Sequence, residues 1–253
     1  MPDKTAITSP DGALAEAIVY EDAAALVAGA AEFISAEAVE AVARRGVFTI
    51  ALSGGATPKP VYERLASDDR IHWARVHVFF GDERCVPPED SRSNYHMALT
   101  ALLERIAIPP ENVHRMRGED PPDAAAEAYA REMATILGEG GPLDLVLLGL
   151  GDNGHTASLF PGLAVVTEEK RWVMAAYVEA VGMSRLTLTP PAINAARRVA
   201  FLVSGADKAE VVQRVLQGPR EPMVLPAQAI RPKEQPALWL IDAAAAAQLK
   251  LSK

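Results

Sequence analysis

The chain has 253 residues, 49% hydrophobic and 23% charged, with a formal net charge of -8. That is an ordinary globular balance, enough for one large core or two small ones. The negative charge argues against generic nucleic-acid binding, and no apolar run reaches the roughly 20 residues of a membrane helix. The single cysteine, Cys85, excludes an intrachain disulfide. With an N-terminus that lacks an apolar signal core, this predicts a cytoplasmic protein.

Residues 1 to about 20 read as a frayed start and a short strand around Ala15 to Tyr20. Asp22 is placed to cap a long alanine-rich helix from Ala23 to about Arg45, where Leu26, Val27, Ala30, Phe33 and Ile34 recur at helical spacing and Gly46 ends it. Val47 to Leu52 is strand-like. The loop Ser53 to Pro58 follows, then a helix from Pro58 or Pro60 through Ala66. Val76 to Phe80 is a strand running into the charged turn Asp82-Glu83-Arg84. Ser93 caps a helix over Asn94 to Arg105, and Pro121 to Leu137 forms another.

Leu143 to Leu148 is a buried strand. It opens into the glycine-rich run Gly149 to His155, after which Thr156 to Phe160 reads as a short helix stopped by Pro161-Gly162. Further strands are expected over Trp172 to Val178, Arg185 to Leu188, Val199 to Val203 and Pro236 to Ile241. Short helices start at Pro190 and after Gly205, and Asp242 caps a terminal alanine helix. Strands alternating with helices predict an α/β fold with a largely parallel sheet flanked by helices and a smaller strand-containing C-terminal portion. No long linker divides the chain. One domain over residues 1–253 is expected, with a smaller lobe within about 163–253 as the alternative.

Ligands of open α/β sheets bind at the carboxyl ends of strands, where several polar loops of this chain fall. Gly54 and Gly55 present N–H groups while Ser53 and Thr57 add hydroxyls, the composition of an anion cradle at a helix N-terminus or of a plain strand-to-helix turn. Arg84 is suited to a carboxylate or phosphate, with Asp82 orienting a sugar hydroxyl or holding Arg84; the alternative is a solvated charged turn. His155, at a strand end among glycines, is the best candidate for moving a proton near neutral pH. His72, His77, His96 and His114 have no comparable setting, and no H-x-x-x-H or C-x-x-C spacing suggests zinc. Arg185 and Lys208 are candidates for neutralising phosphate, though each alone also reads as a surface charge. Cys85 reads as passive.

SGGATP at 53–58, FFGDERCVP at 79–87 with Ser93-Asn94, and GLGDNGHTASLFPG at 149–162 together resemble the 6-phosphogluconolactonases. SRLTLTPPAIN at 184–194, SGADKAEVV at 204–212 and LPAQAI at 225–230 extend the resemblance along nearly the whole chain. It implies a Rossmann-like fold and hydrolysis of 6-phospho-D-glucono-1,5-lactone to 6-phospho-D-gluconate in the oxidative pentose phosphate pathway. No cofactor or metal is implied, and the partner is a small phosphosugar lactone bound by a monomer or small homo-oligomer. His155 would then activate water, with Ser53, Gly54, Gly55, Thr57, Asp82, Arg84, Asn153, Arg185 and Lys208 around the substrate.

The family often has Asp where this chain has Asn153. Asn cannot stabilise an imidazolium as Asp would, but its amide oxygen still accepts a hydrogen bond. The related glucosamine-6-phosphate deaminase carries a Glu five residues after the loop histidine. Phe160 stands there and transfers no proton, which favours hydrolysis over deamination. A non-catalytic phosphosugar-binding regulatory domain is the third reading, but no basic helix-turn-helix segment is visible.

Overall fold

The protein is described by a computed structural model covering residues 4–250. Its main sheet has seven strands: β1 (Thr5–Thr8), β2 (Leu14–Tyr20), β3 (Phe48–Leu52), β4 (Val76–Phe80), β6 (Leu145–Leu148), β9 (Arg198–Val203) and β10 (Ala237–Asp242). They lie in the order β1-β2-β10-β9-β6-β3-β4. Every neighbouring pair is parallel except β1–β2. A second, antiparallel sheet of three strands has the order β5-β8-β7, from β5 (Asp82–Arg84), β7 (Val173–Val178) and β8 (Met183–Leu188).

The side chains of the main sheet divide by alternation between two hydrophobic clusters. Ile50, Leu52, Leu145, Leu147, Leu238 and Leu240 pack under the helices α1 (Ala23–Arg45), α2 (Pro58–Leu65) and α3 (Asn94–Ala101). Ala51, Val146, Leu148, Phe201, Trp239 and Ile241 face α4 (Pro122–Leu137), α5 (Pro190–Ala195), α6 (Ala209–Gln217) and the small sheet. Both faces are therefore covered. That is why β3, β6, β9 and β10 are buried at every position and read as mostly apolar runs. Helix α1 starts where expected: Asp22 accepts the Ala25 N–H at 2.8 Å, and Gly46 closes the helix in the left-handed region.

Four local expectations change. The frayed start contains β1, which pairs with β2 through a turn in which Ser9 Oγ accepts the Ala13 N–H. The helix after Ser93 stops at Ala101, and a separate turn covers Leu103–Arg105. Thr156 to Phe160 is not helical. Thr156 and Leu159 form an isolated bridge and Ala157 takes a φ of 47°, because the segment is pulled into hydrogen bonds with Gly149 and the small sheet. After β10, Asp242 does accept the Ala245 N–H, but residues 243–248 form turns in place of a helix.

Candidate active site

The parallel strands β3, β4, β6 and β9 all end at one edge of the sheet, so the chain that follows each converges there. Together these loops and the small sheet enclose a cavity of about 450 Å³. Ser53, Gly54, Gly55, Thr57, Asp82, Arg84, His155, Arg185 and Lys208 all line it. Asn153 does not; it acts on the site through His155. Of the other histidines, His77 and His114 hydrogen-bond to one another at 2.9 Å, and His114 to Glu132 at 2.8 Å, away from the cavity.

The loop after β3 is partly committed to the fold. The Tyr62 hydroxyl donates to Ser53 O at 2.9 Å and accepts the Ser53 N–H at 3.0 Å, so that N–H is not free for an anion. The Ser53 Oγ is buried and has no partner among the described residues. Thr57 makes no side-chain cap bond to α2, which leaves its hydroxyl to the cavity. A Cβ on Gly54 would overlap the Asn94 carboxamide, so the close approach of these two segments requires glycine.

Asp82-Glu83-Arg84 is not a solvated turn. It is β5, with Asp82 7% and Glu83 2% exposed. The pairing partner, β8, is remote in sequence, so nothing local announced it. Alternation then sends neighbouring side chains to different work. Glu83 accepts the Arg84 N–H at 2.7 Å, the Asn94 N–H at 2.7 Å, the Tyr95 N–H at 2.8 Å and the Ser93 hydroxyl at 2.9 Å, which docks the start of α3. Burial still pushes the Glu83 carboxyl above its ordinary value, against those four bonds.

Asp82 accepts the Ser158 hydroxyl at 2.6 Å and the Asn94 amide at 3.0 Å, with Arg185 Nη1 3.9 Å away. Arg84 stands directly opposite Arg185 in the β5–β8 ladder. The Nε of each is buried and has no partner among the described residues. Arg84 donates through Nη1 to Arg92 O at 2.6 Å. Burial lowers the Arg185 guanidinium, with Asp82 opposing and Arg84 reinforcing that shift. Like charges facing across a ladder are unfavourable, and an anion between them relieves the repulsion. Lys208 is paired with Asp152 at the rim, and that contact lowers the Asp152 carboxyl.

At His155 the Asn153 Oδ1 accepts both the His155 backbone N–H at 3.1 Å and the Nδ1 proton at 2.7 Å. The same oxygen receives a backbone N–H, so it is the acceptor toward Nδ1 as well. The neutral imidazole thus carries its proton on Nδ1 and its lone pair on Nε2. Burial holds the ring below the ordinary histidine value; Asp82 opposes this, while Arg185 and Lys208 add to it.

Three contributors were not singled out from sequence: Asn94, Ser158 and the Gly151 backbone beside His155. Asn94 and Ser158 fall inside the motifs quoted above, but their shared partner, Asp82, lies 12 residues from Asn94 and 76 from Ser158, beyond the reach of a local pattern.

A family model described as glucosamine-6-phosphate isomerases/6-phosphogluconolactonase matches residues 21–239. The chain belongs to this family. Within it, the chain is 41% identical over 238 residues to the 6-phosphogluconolactonase of Nostoc sp. (strain PCC 7120 / SAG 25.82 / UTEX 2576), covering 92% of this chain and 98% of that protein. It is 41% identical over 222 residues to the 6-phosphogluconolactonase of Synechocystis sp. (strain ATCC 27184 / PCC 6803 / Kazusa), covering 86% and 91%. Among solved structures it is similar to 6-phosphogluconolactonase from Trypanosoma cruzi, with a TM-score of 0.82 at 31% identity over 92% of this chain and 96% of that one. The family membership and the Rossmann-like α/β fold implied by the motifs are both borne out. Among the described residues no helix is long and apolar enough to cross a membrane.

Proposed function

We propose that this chain hydrolyses 6-phospho-D-glucono-1,5-lactone to 6-phospho-D-gluconate, the lactonase step of the oxidative pentose phosphate pathway. The observation that carries the chemical step is the Asn153 Oδ1 contact to His155 Nδ1, which makes Nε2 the basic nitrogen of a histidine lining the cavity.

Nε2 takes one proton from a water molecule as its oxygen bonds to C1 of the lactone. The C1–ring-oxygen bond then breaks, and the imidazolium returns its proton to the departing oxygen. The new carboxylic acid loses its remaining proton to solvent. A neutral amide suffices to orient the ring, because Nδ1–H needs only an acceptor. Arg185 and Lys208, with Gly54, Gly55 and Thr57, are assigned to the phosphate and hydroxyls. Arg84 orients the substrate, and Asp82 holds Arg185 in place. We further place the enzyme in the cytoplasm as a monomer or small homo-oligomer without a nucleic-acid partner.

Phe160 speaks against the deaminase alternative. Its ring lies against His155, where it offers no proton to a ring-opening isomerisation. The test is a coupled assay with freshly generated lactone, corrected for spontaneous hydrolysis, comparing wild type with His155→Ala. Acceleration by wild type and its loss in the variant support the reading. Ammonia release from glucosamine 6-phosphate without lactone acceleration replaces it with the deaminase; binding without turnover of either replaces it with a sensor.

A further inference from the structure

We propose that Phe160 is a positioning residue for the lactonase reaction: stacked on the His155 imidazole, it holds the ring in the plane in which Asn153 secures Nδ1 and Nε2 is left for water. The inference rests on the lactonase reading of the site.

The two ring centroids are 4.1 Å apart and the planes differ by 14°. A single hydrogen bond from Nδ1 to Asn153 fixes one atom of the imidazole and leaves the ring free to swing about that bond. A flat apolar surface in contact with one face removes the swing. The Gly151 backbone closes the Nδ1–Cε1 side, where a Cβ would overlap the ring. Nε2 is then the one ring nitrogen without a protein partner among the described residues.

Phe160 is itself held. The neighbouring Leu159 is fully buried and bridges Thr156, the Thr156 hydroxyl donates to Gly149 O at 2.8 Å, and Phe160 O accepts the Leu163 N–H at 3.2 Å. The segment expected to be a helix is instead a pinned turn, and its irregularity sets Phe160 over the histidine. Phe160 has no proton to exchange, so its contribution is orientation and exclusion of water from one ring face. Misplacing a reacting group by about 1 Å can cost on the order of 10²-fold in rate.

The charged groups acting on the imidazole are Asp82 from β5, Arg185 from β8, Lys208 from the turn before α6 and Asp152 from its own loop. None of them changes when Phe160 is replaced. A shift in the titration of His155 in a Phe160 variant therefore reports the lost stack and the entering water.

The experiment compares wild type, Phe160→Leu and Phe160→Tyr in the lactone assay across pH, with ¹⁵N NMR of the imidazole. Phe160→Leu is expected to lose about 10- to 100-fold in kcat, with KM within about threefold. Its acid limb should move up toward the ordinary imidazole value, and the single Nδ1–H tautomer should give way to a mixture. Phe160→Tyr keeps the ring and recovers most of the lost kcat. Wild-type kcat in Phe160→Leu overturns the inference, as does a kcat loss with acid limb and tautomer unchanged. If Phe160→Leu loses its native melting transition, Phe160→Met is read by the same outcomes. If wild type does not accelerate lactone hydrolysis, the lactonase reading falls, and the tautomer comparison alone decides whether Phe160 orients His155.

Discussion

Arg84 and Arg185 face one another across the β5–β8 ladder, each with its Nε buried and unpartnered among the described residues. The arrangement places like charges side by side on one wall of a cavity and leaves the two Nε donors without a protein acceptor among the described residues. It is stable in the folded protein because Asp82 lies 3.9 Å from Arg185 and Arg92 O accepts from Arg84.

Arg185→Ala should therefore act mainly on binding. A charge-assisted hydrogen bond contributes about 1.5–3 kcal/mol, or roughly 10- to 100-fold. KM for the lactone should rise by that factor with kcat little changed. At the same concentration, inorganic phosphate should raise the Tm of wild type more than that of Arg185→Ala, since a ligand stabilises the state that binds it to a degree that grows with its affinity. A normal KM removes Arg185 from the phosphate role.

His155→Ala should lose about 10²–10⁴-fold in kcat, the usual worth of a general base. Equilibrium binding of 6-phosphogluconate should survive, because none of the phosphate contacts assigned above involves the imidazole. An unchanged kcat removes His155 from the mechanism.

The pH profile follows from the direction of the His155 shift. Burial keeps the folded ring neutral to lower pH than an ordinary imidazole, whose value is 6.5. The acid limb of kcat/KM should accordingly lie below 6.5. Asn153→Asp places a carboxylate against Nδ1, favours the imidazolium and should move that limb upward. The same shift bears on stability: as pH falls through the ordinary value the unfolded chain binds this proton first, so the folded state loses stability until the folded ring also titrates. An Asn153→Asp limb that stays put or moves down contradicts the contact.

Glu83→Ala should damage the fold more than the chemistry. It leaves the N–H groups of Arg84, Asn94 and Tyr95 and the Ser93 hydroxyl without their acceptor in a buried place. Orphaned donors cost about 1–3 kcal/mol each, so chemical denaturation should show a loss of at least about 3 kcal/mol. Glu83→Gln, which keeps an acceptor, should lose less. Equal stability of Glu83→Ala and wild type would contradict this role.

Much of the fold is legible along the chain because its signals are local. The runs at 48–52, 76–80, 145–148 and 198–203 are strands covered on both faces of the sheet, and such strands are mostly apolar, with Thr49, His77 and Arg198 as the polar exceptions. The cap at Asp22 and the stop at Gly46 bound α1 for reasons contained within single turns. The loops at 53–57, 149–155 and 204–208 end up at one edge because parallel strands place all their carboxyl ends together.

What the order of residues determined by itself is the α/β class, the strand-end loops and the His155 candidate, since periodicity, capping and glycine turns act over a few neighbours. Tertiary structure alone decided the rest. It made Asp82–Arg84 a strand of a second sheet, because its partner β8 lies about a hundred residues away. It brought Ser158 and Asn94 to the Asp82 carboxylate, pulled the segment after His155 out of a helix, and laid Phe160 on the imidazole. Each of these is a contact between groups whose meeting depends on how distant strands and loops pack, and no local propensity encodes it.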